Sequence, residues 1–397
     1  MTRVVHLISE FSAREAMGRT ISEIATRVPA EHHLVTTRAN DGARVFAGVH
    51  ELGGGIGVFP LRRLDELAAV LDRLAPDLVH LHAGALGPFQ AALPVLRRQS
   101  IVLTMYAWPT VPGPRAWRRA RLAEMRVSNV LQARVVLTTI LPAAFVRWTL
   151  RRAGVTTVLT PDPRVVQRLA GQSGLTVVRM TSGAPTDERR AQFDAELPVI
   201  VFAGRAETVR GLDTLLAAFP LVQREVPAAR LRLLLIPRPE LAAILRRAAE
   251  ADGTAGIEVV TEPVPDLLAE LAAAQVGAWP FKFDYTTSPP AMAVAEAMSV
   301  GLPVVATDVA CVRAVVEPGV NGLLVPPADA GALAAAIVPL LRDKDLWQRY
   351  AEAGPQSVRE RFGWDRVAAT TAKAYAAALT PEAGKAKSVW HGRRSMT

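Results

Sequence analysis

The stretch from Tyr285 to Pro326, YTTSPPAMAVAEAMSVGLPVVATDVACVRAVVEPGVNGLLVP, decides the reading of this chain. It reads as loop, helix, strand, helix, strand. Ser288 suits an N-cap. Pro289 and Pro290 suit the first helical positions, where a missing N–H leaves no partner unsatisfied. Ala291 to Met298 are mostly good helix formers. Gly301 closes the helix, Pro303 prevents its continuation, and Val304-Val305-Ala306 is a short apolar strand. Glu296 is the one acid in a helix that is apolar on nearly every face, so the helix is expected to be buried. A buried carboxylate left alone is costly or becomes neutral. Glu296 therefore needs either an internal hydrogen-bond donor, a partly exposed edge, or a ligand.

Outward from this stretch, short apolar runs alternate with helical patterns, the signature of parallel α/β sheets. In the first half the strand-like runs are Val4–Ile8, His33–Thr37, Leu78–His82, Ile101–Thr104, Arg134–Thr138, Thr157–Thr160 and Thr176–Arg179, with helical patterns at Ile21–Val28 and Leu64–Leu74. Gly53–Gly57 does not sit as a strand-to-helix phosphate loop should, and reads as a connection. The segment Thr181–Leu197 reads as a linker. A second alternating series begins at Pro198, with strands at Val199–Ala203, Leu231–Ile236 and Ile257–Val260 and helices at Asp213–Phe219, Leu241–Glu250 and Val264–Ala274. Helices at Ala330–Leu341 and Leu346–Ala353 and a last one opened by Phe362-Gly363-Trp364-Asp365 complete the chain. The expected organisation is a first domain over 1–185, a linker at 186–197, a second domain over 198–360, a closing helix over 361–380 and a mobile tail at 381–397.

At 397 residues, half of them hydrophobic, the chain can bury two cores. No apolar run approaches the roughly 18–20 residues of a membrane span. The first residues read as a strand rather than a secretory leader. The single cysteine, Cys311, allows no intrachain disulfide and reads as a small buried residue, and no Cys/His cluster has zinc-site spacing. Charge is unevenly placed: residues 1–190 carry a balance of +11 and residues 191–397 one of −2, together the overall +9. Eleven arginines fall between Arg97 and Arg152, with Glu124 as the only acid among them. Such a field attracts anionic partners. Pro114–Arg126, with Trp117, Leu122 and Met125, suits a basic helix at an anionic membrane surface, and Trp148 beside Arg147, Arg151 and Arg152 repeats the pattern. The alternative is an ordinary solvated basic face. No interleaved aromatic platform accompanies the arginines, so nucleic acid is not an expected partner.

Ligands of open parallel sheets bind beyond the carboxyl ends of strands. Gly204 and Arg205 end the first strand of the second series, and Arg210 stands at the entrance of the next helix. Both thus stand where a ligand of such a sheet would lie; the alternative is a surface ion pair with Glu207 or Asp213. His80 and His82, two apart on one strand, share a face, where an imidazole is either an interior hydrogen-bonding group or a site residue.

The chain resembles the retaining glycosyltransferases of the GT-B type, family 4. Glu296-Ala297-Met298, the Gly301–Asp308 strand and Asn321–Val325 match that family's donor-binding half, and Gly204-Arg205 with Arg210-Gly211 resembles its Gly-Arg…Lys-Gly motif, Arg210 standing for Lys. The position eight before Glu296, usually Glu, is Ser288; the usual Gly-Gly pair falls on Ala310-Cys311 and the Glu after it on Ala314. In the first domain the Gly-Gly loop is reduced to Gly18. The resemblance implies two Rossmann-like domains facing a central cleft, with a C-terminal helix crossing back. It implies transfer of a sugar from a nucleotide diphosphate, UDP- or GDP-linked, to an acceptor hydroxyl with retention of configuration. Neither a metal nor a further cofactor is needed.

By the same resemblance Arg205 and Arg210 hold the diphosphate and Glu296 accepts from the ribose hydroxyls. Gly204, Ser288, Ala291, Met292 and Gly18 bind the donor, the amides of Ala291 and Met292 facing phosphate. His82 and Tyr106 stand on the acceptor side. The acceptor is expected to be lipid-linked or a growing glycan, reached by a cytoplasmic protein at the inner face of the membrane through residues 97–152. Two rival readings stay open: a pseudo-glycosyltransferase with a non-sugar donor, and a degenerate scaffold subunit.

Overall fold

The computed structural model describes residues 1–13, 15–39, 42–53, 63–84, 86–106, 143–171, 174–185, 188–251, 256–284, 286–287 and 289–380. The expected strand at Arg134–Thr138, the basic helix at Pro114–Arg126, most of the Gly53–Gly57 run, Ser288 and the tail lie outside these residues. The described residues fall into two compact units. One comprises the chain up to Gly183 together with residues from Trp364 onward, the other Ala184–Gly363.

The first unit holds seven parallel strands, β1 (Arg3–Leu7), β2 (Glu31–Thr36), β3 (Gly48–Glu51), β4 (Leu78–Ala83), β5 (Ile101–Met105), β6 (Thr157–Thr160) and β7 (Thr176–Arg179), in the order β3-β2-β1-β4-β5-β6-β7. β1, β4, β5 and β6 are buried along nearly their whole length, as strands covered on both faces must be. One face packs on the helices Leu64–Leu74, Gly87–Ala91, Ala143–Ala153 and Pro163–Leu169. The other carries Val4, Leu78, Val102 and Leu159 and packs on Ala16–Arg27 and on the C-terminal helix Trp364–Ala378. The helix Leu64–Leu74 shows why these segments fold as they do. Leu67, Val70, Leu71 and Leu74 make one buried stripe, while Asp65 and Glu66 open the helix and Arg73 ends it, each charge opposing the local dipole.

The second unit holds six parallel strands, β8 (Val199–Arg205), β9 (Arg230–Ile236), β10 (Ile257–Val260), β11 (Val276–Trp279), β12 (Val304–Thr307) and β13 (Leu323–Val325), in the order β10-β9-β8-β11-β12-β13. Three of its helices begin on carboxylate caps: Asp266, Asp329 and Asp343 accept from the amides of Ala269, Ala332 and Leu346.

The opening stretch folds as read, with helix Met292–Ser299, β12, a short helix Ala310–Arg313 and β13. One detail differs. Pro289 and Pro290, joined by a cis peptide, precede the helix instead of opening it, and Ala291 holds the cap position in an extended conformation. The Ala291 N–H donates to the Cys311 carbonyl at 2.9 Å, so the chain is tied to its neighbour before it turns helical. The helix expected at Leu346–Ala353 runs from Lys344 to Phe362 through Pro355. Gly354 permits this contact: a Cβ there would lie 2.9 Å from the Met298 carbonyl oxygen of the Glu296 helix. From Ala184 the expected linker is fastened to the second unit, where Ala184 donates to Phe362 O and Ala191 to Val300 O. Among the described residues no helix is long and apolar enough to cross a membrane.

Candidate functional site

In the second sheet β8 continues outward to β9 and β10 while β11 leads the other way to β12 and β13, so the strand order reverses between β8 and β11. A crevice at the carboxyl ends of the strands at such a reversal is where open parallel sheets hold ligands. Three loops meet there. β8 ends on Arg205 and is followed by a single 3-10 turn Thr208–Arg210, then Gly211 and the helix Leu212–Glu225. After β11 come Pro280, Phe281 and Lys282. After β12 comes the short helix containing Cys311.

Gly211 fixes how the first two loops fit. Its φ is +76°, and a Cβ would stand 1.7 Å from the Pro280 carbonyl oxygen, so only glycine allows this approach. Lys282 N–H donates to Val209 O at 3.1 Å, and Thr286 Oγ1 donates to the same oxygen at 3.2 Å. Thr307 Oγ1 donates to Phe281 O and Trp279 Nε1 to Ala203 O, tying the loop after β11 to β12 and β11 itself to β8.

The cations are held by these loops. Arg210 is mostly buried, lies over the Phe281 ring at 5.2 Å from its centroid, and pairs with Glu207 at 3.3 Å. The sequence alternative for Arg210 is thus present in part: Glu207 is a partner, but Asp213 is not. Burial lowers the Arg210 guanidinium pKa from its usual value; Glu207 opposes the shift and the charge of Arg205 adds to it. Two guanidiniums that repel each other in a half-buried place are relieved by an anion. Asp213 instead holds Lys282, Nζ to Oδ2 2.6 Å, with Arg247 at 3.6 Å. Lys282 makes a third cation at the same loops, and the sequence reading passed it over.

Glu296 lies in the helix Met292–Ser299 and is only 4% exposed, surrounded by buried Val294, Ala295, Ala297 and Met298. Its expected burial is therefore observed. Of the two amides expected to face phosphate, that of Ala291 is committed to Cys311 O, which takes it from a ligand. Met292 and Ala293 are the first helical residues, with no carbonyl a turn earlier in their own helix. Gly204 sits one residue before the end of β8, where a Cβ would meet the Phe202 ring at 3.2 Å. Cys311 is fully buried and its thiol is pushed up to about 11, first by burial, so the expectation of a small interior residue holds. The sequence's one Asp-x-Asp, Asp343-Lys344-Asp345, is spent at a helix start, with Asp343 as its cap.

In the first sheet the reversal falls between β1 and β4. Gly18 belongs to the helix after β1, and a Cβ there would stand 2.1 Å from Ser12 O, so glycine lets the helix press on the preceding loop. His82 ends β4. Tyr106 directly follows β5, and its N–H donates to Ala83 O at 3.0 Å. These two acceptor-side candidates are thus brought to the carboxyl ends of adjacent strands. His82 Nδ1 and Tyr106 Oη are buried without a hydrogen-bond partner among the described residues. Burial pushes the Tyr106 phenol well up and the His82 imidazole well down, so both are held neutral. His80 is fully committed, Nδ1 to Tyr375 Oη at 2.8 Å and Nε2 to Thr104 Oγ1 at 2.7 Å, the interior role of the two that its sequence allowed. What the sequence did not suggest is that His6 and His32, on separate strands, join the same layer.

Comparison with known proteins bears on both units. Residues 197–343 match the family model described as Glycosyl transferases group 1. The D-inositol 3-phosphate glycosyltransferase of Xylanimonas cellulosilytica is 34% identical over 209 residues, 51% of this chain and 46% of that protein. The phosphatidyl-myo-inositol mannosyltransferase of Mycobacterium leprae is 45% identical over 85 residues, 21% of this chain and 22% of that protein. The chain thus spans half or less of the length of these two curated relatives. Among solved structures, HepE of Anabaena in complex with UDP and glucose matches with a TM-score of 0.71 at 16% identity, over 94% of this chain and 99% of that one. Sucrose-phosphate synthase of Thermosynechococcus elongatus matches with 0.69 at 18% identity, over 94% and 98%. At these identities the likeness is one of fold: the chain is α/β, of the GT-B type, with two Rossmann-like parallel sheets.

Proposed function

We propose that this chain is a glycosyltransferase that moves a sugar from a nucleotide diphosphate, UDP- or GDP-linked, to an acceptor hydroxyl. The observation that carries the reading is the placement of Arg205, Arg210 and Lys282 on interlocked loops at the reversal of the second sheet, beside the helix of Glu296. Breaking a sugar–phosphate bond builds negative charge on the departing diphosphate. Fixed cations in a partly buried site stabilise that charge without reorganising, and the leading amides of the Glu296 helix add to it. The diphosphate's charge is then met by side chains rather than by a divalent cation. Glu296 accepts from the ribose hydroxyls, and Gly204, next to Arg205, belongs to the donor site.

Retention of anomeric configuration belongs to this reading, with the departing diphosphate taking the acceptor proton. On the acceptor side His82 and Tyr106 receive the hydroxyl-bearing substrate. A lipid-linked acceptor is supported by the helix Ala143–Ala153, where Phe145 and Trp148 are 40% and 52% exposed and stacked, with Arg152 over the Trp148 ring. An apolar tip framed by arginine suits an anionic membrane surface.

Calorimetry of UDP, GDP, ADP and dTDP, with and without Mg²⁺, on wild type and Glu296→Ala tests the donor site. One nucleotide should bind tightly, independently of Mg²⁺, and lose affinity in the variant. Failure of all four to bind would leave a scaffold protein as the better reading. NMR of the product's anomeric proton tests retention.

A further inference from the structure

Four groups of the first unit form a single line of hydrogen bonds. His32 Nε2 meets the Val28 carbonyl oxygen at 2.8 Å. His32 Nδ1 meets His6 Nε2 at 2.9 Å, and His6 Nδ1 meets His82 Nε2 at 3.0 Å. The line ends at His82 Nδ1, buried and without a partner among the described residues. All three rings are buried, and burial lowers each imidazole's pKa, His6 and His82 most, so all three are neutral.

A carbonyl oxygen can only accept, so His32 carries its proton on Nε2 and offers a bare Nδ1. His6 must then donate from Nε2, which leaves its own Nδ1 bare. His82 in turn donates from Nε2. The direction of every bond follows from Val28, because a neutral imidazole has one donor and one acceptor, and the bond at one nitrogen decides the other. At the end of the line a lone pair is left over, in a place where leaving a polar group unpaired is costly.

We propose that His32 and His6 are positioning residues that fix His82 in its Nε2–H tautomer, so that Nδ1 stands ready to accept a hydrogen bond from a substrate hydroxyl. This rests on the glycosyl-transfer reading for the identity of the ligand, but not for the tautomers. The three nitrogens of His6, His80 and His82 lie within 4.8 Å of one another, the spacing of a metal site. Both nitrogens of His6 and of His80 are already engaged, however, and the cluster contains no carboxylate to offset a buried divalent charge.

The test is the long-range 1H–15N imidazole spectrum of the full-length protein, with wild type, His32→Asn and His32→Leu compared. Wild type should show His32, His6 and His82 protonated on Nε2 alone at neutral pH. His32→Asn keeps an oxygen where Nδ1 stood and should preserve the His82 tautomer; His32→Leu should leave a mixture of both. Adding UDP with glucose should move the His82 Nδ1 resonance and leave that of His32 in place. A wrong tautomer behind a catalytic imidazole can cost about 10⁴-fold; here kcat should fall at least about tenfold in His32→Leu, with the donor KM little changed, and recover in His32→Asn.

A proton on His82 Nδ1, an unmoved Nδ1 resonance, zinc-induced shifts of these rings, or a His32→Leu protein with wild-type tautomers and kcat would each overturn the proposal. The spectra and the turnover fail separately. Tautomers as expected in a protein that transfers no sugar refute the glycosyl-transfer reading; turnover with the opposite tautomer refutes this one.

Discussion

Lys282 donates its ammonium to Asp213 Oδ2 at 2.6 Å, joining the loop after β11 to the first turn of the helix Leu212–Glu225. Asp213 is thereby withdrawn from Arg210, whose charge is offset only in part, by Glu207. Lys282→Met should therefore weaken nucleotide diphosphate binding by about tenfold, the size of one hydrogen bond to a charged group, with an unchanged circular dichroism spectrum. Calorimetry with the preferred nucleotide checks it, and unchanged affinity would remove Lys282 from the site.

Arg205→Ala and Arg210→Ala should each cost about 1.5–3 kcal/mol of binding to the same nucleotide, roughly ten- to a hundredfold or more. Arg210→Lys should recover part of the loss, since it keeps the charge and gives up the planar fork over Phe281. Equal loss in the Lys and Ala variants would mean that geometry matters more than charge here.

Gly211→Ala and Gly319→Ala form a controlled pair. Both glycines have φ +76°, but around Gly319 a Cβ meets nothing within 4 Å, whereas at Gly211 it meets the Pro280 carbonyl oxygen. The left-handed backbone alone should cost Gly319→Ala about 1–2 kcal/mol. Gly211→Ala should lose more and should also weaken nucleotide binding, because its two loops must part. Urea unfolding of both variants decides, and equal destabilisation would show that the close approach is not needed.

The histidine layer predicts acid lability. His6, His80 and His82 have pKa values well below the usual 6.5 because burial disfavours the charged form. In the unfolded chain they protonate below about pH 6.5, so the unfolded state binds more protons there. Their contribution to stability is present above pH 6.5 and is lost as pH falls towards the folded-state values. The urea midpoint should drop steadily between pH 7 and pH 5. A flat profile would mean that these rings are not held neutral.

Phe145→Ala together with Trp148→Ala should reduce sedimentation with anionic vesicles at low salt by several-fold, while nucleotide affinity stays as in wild type. If wild type itself fails to sediment, the membrane proposal falls.

The second unit was largely legible in the sequence because its local signals agree. Gly301 and Pro303 end a helix, β-branched runs make strands, and Glu296 stands out against its apolar neighbours. β11 escaped, since Val276-Gly277-Ala278-Trp279 has small residues where a strand would have branched ones. The reason is spatial: a Cβ on Gly277 would stand 2.4 Å from the Trp279 ring, which folds back over it. Lys282 escaped with it, as its role depends on which strand precedes it. Leu64–Leu74, Thr157–Thr160 and Thr176–Arg179 were read to the residue. The histidine line could not be read, because Val28, His32, His6 and His82 meet only once β2, β1 and β4 lie side by side. No periodicity along the chain encodes that register.

The C-terminal helix Trp364–Ala378 packs on the first sheet, and Tyr375 bonds His80 in its interior. Among the described residues the second unit runs without interruption from Ala184 to Gly363. Order of synthesis therefore runs against order of completion. The strands of the first unit precede the second unit in the chain, yet one face of their sheet waits for part of its cover until the helix Trp364–Ala378 has been made. The second unit, begun later, can close sooner. During that interval Val4, Leu78, Val102 and Leu159 lack part of their cover, the circumstance in which nascent chains rely on chaperones.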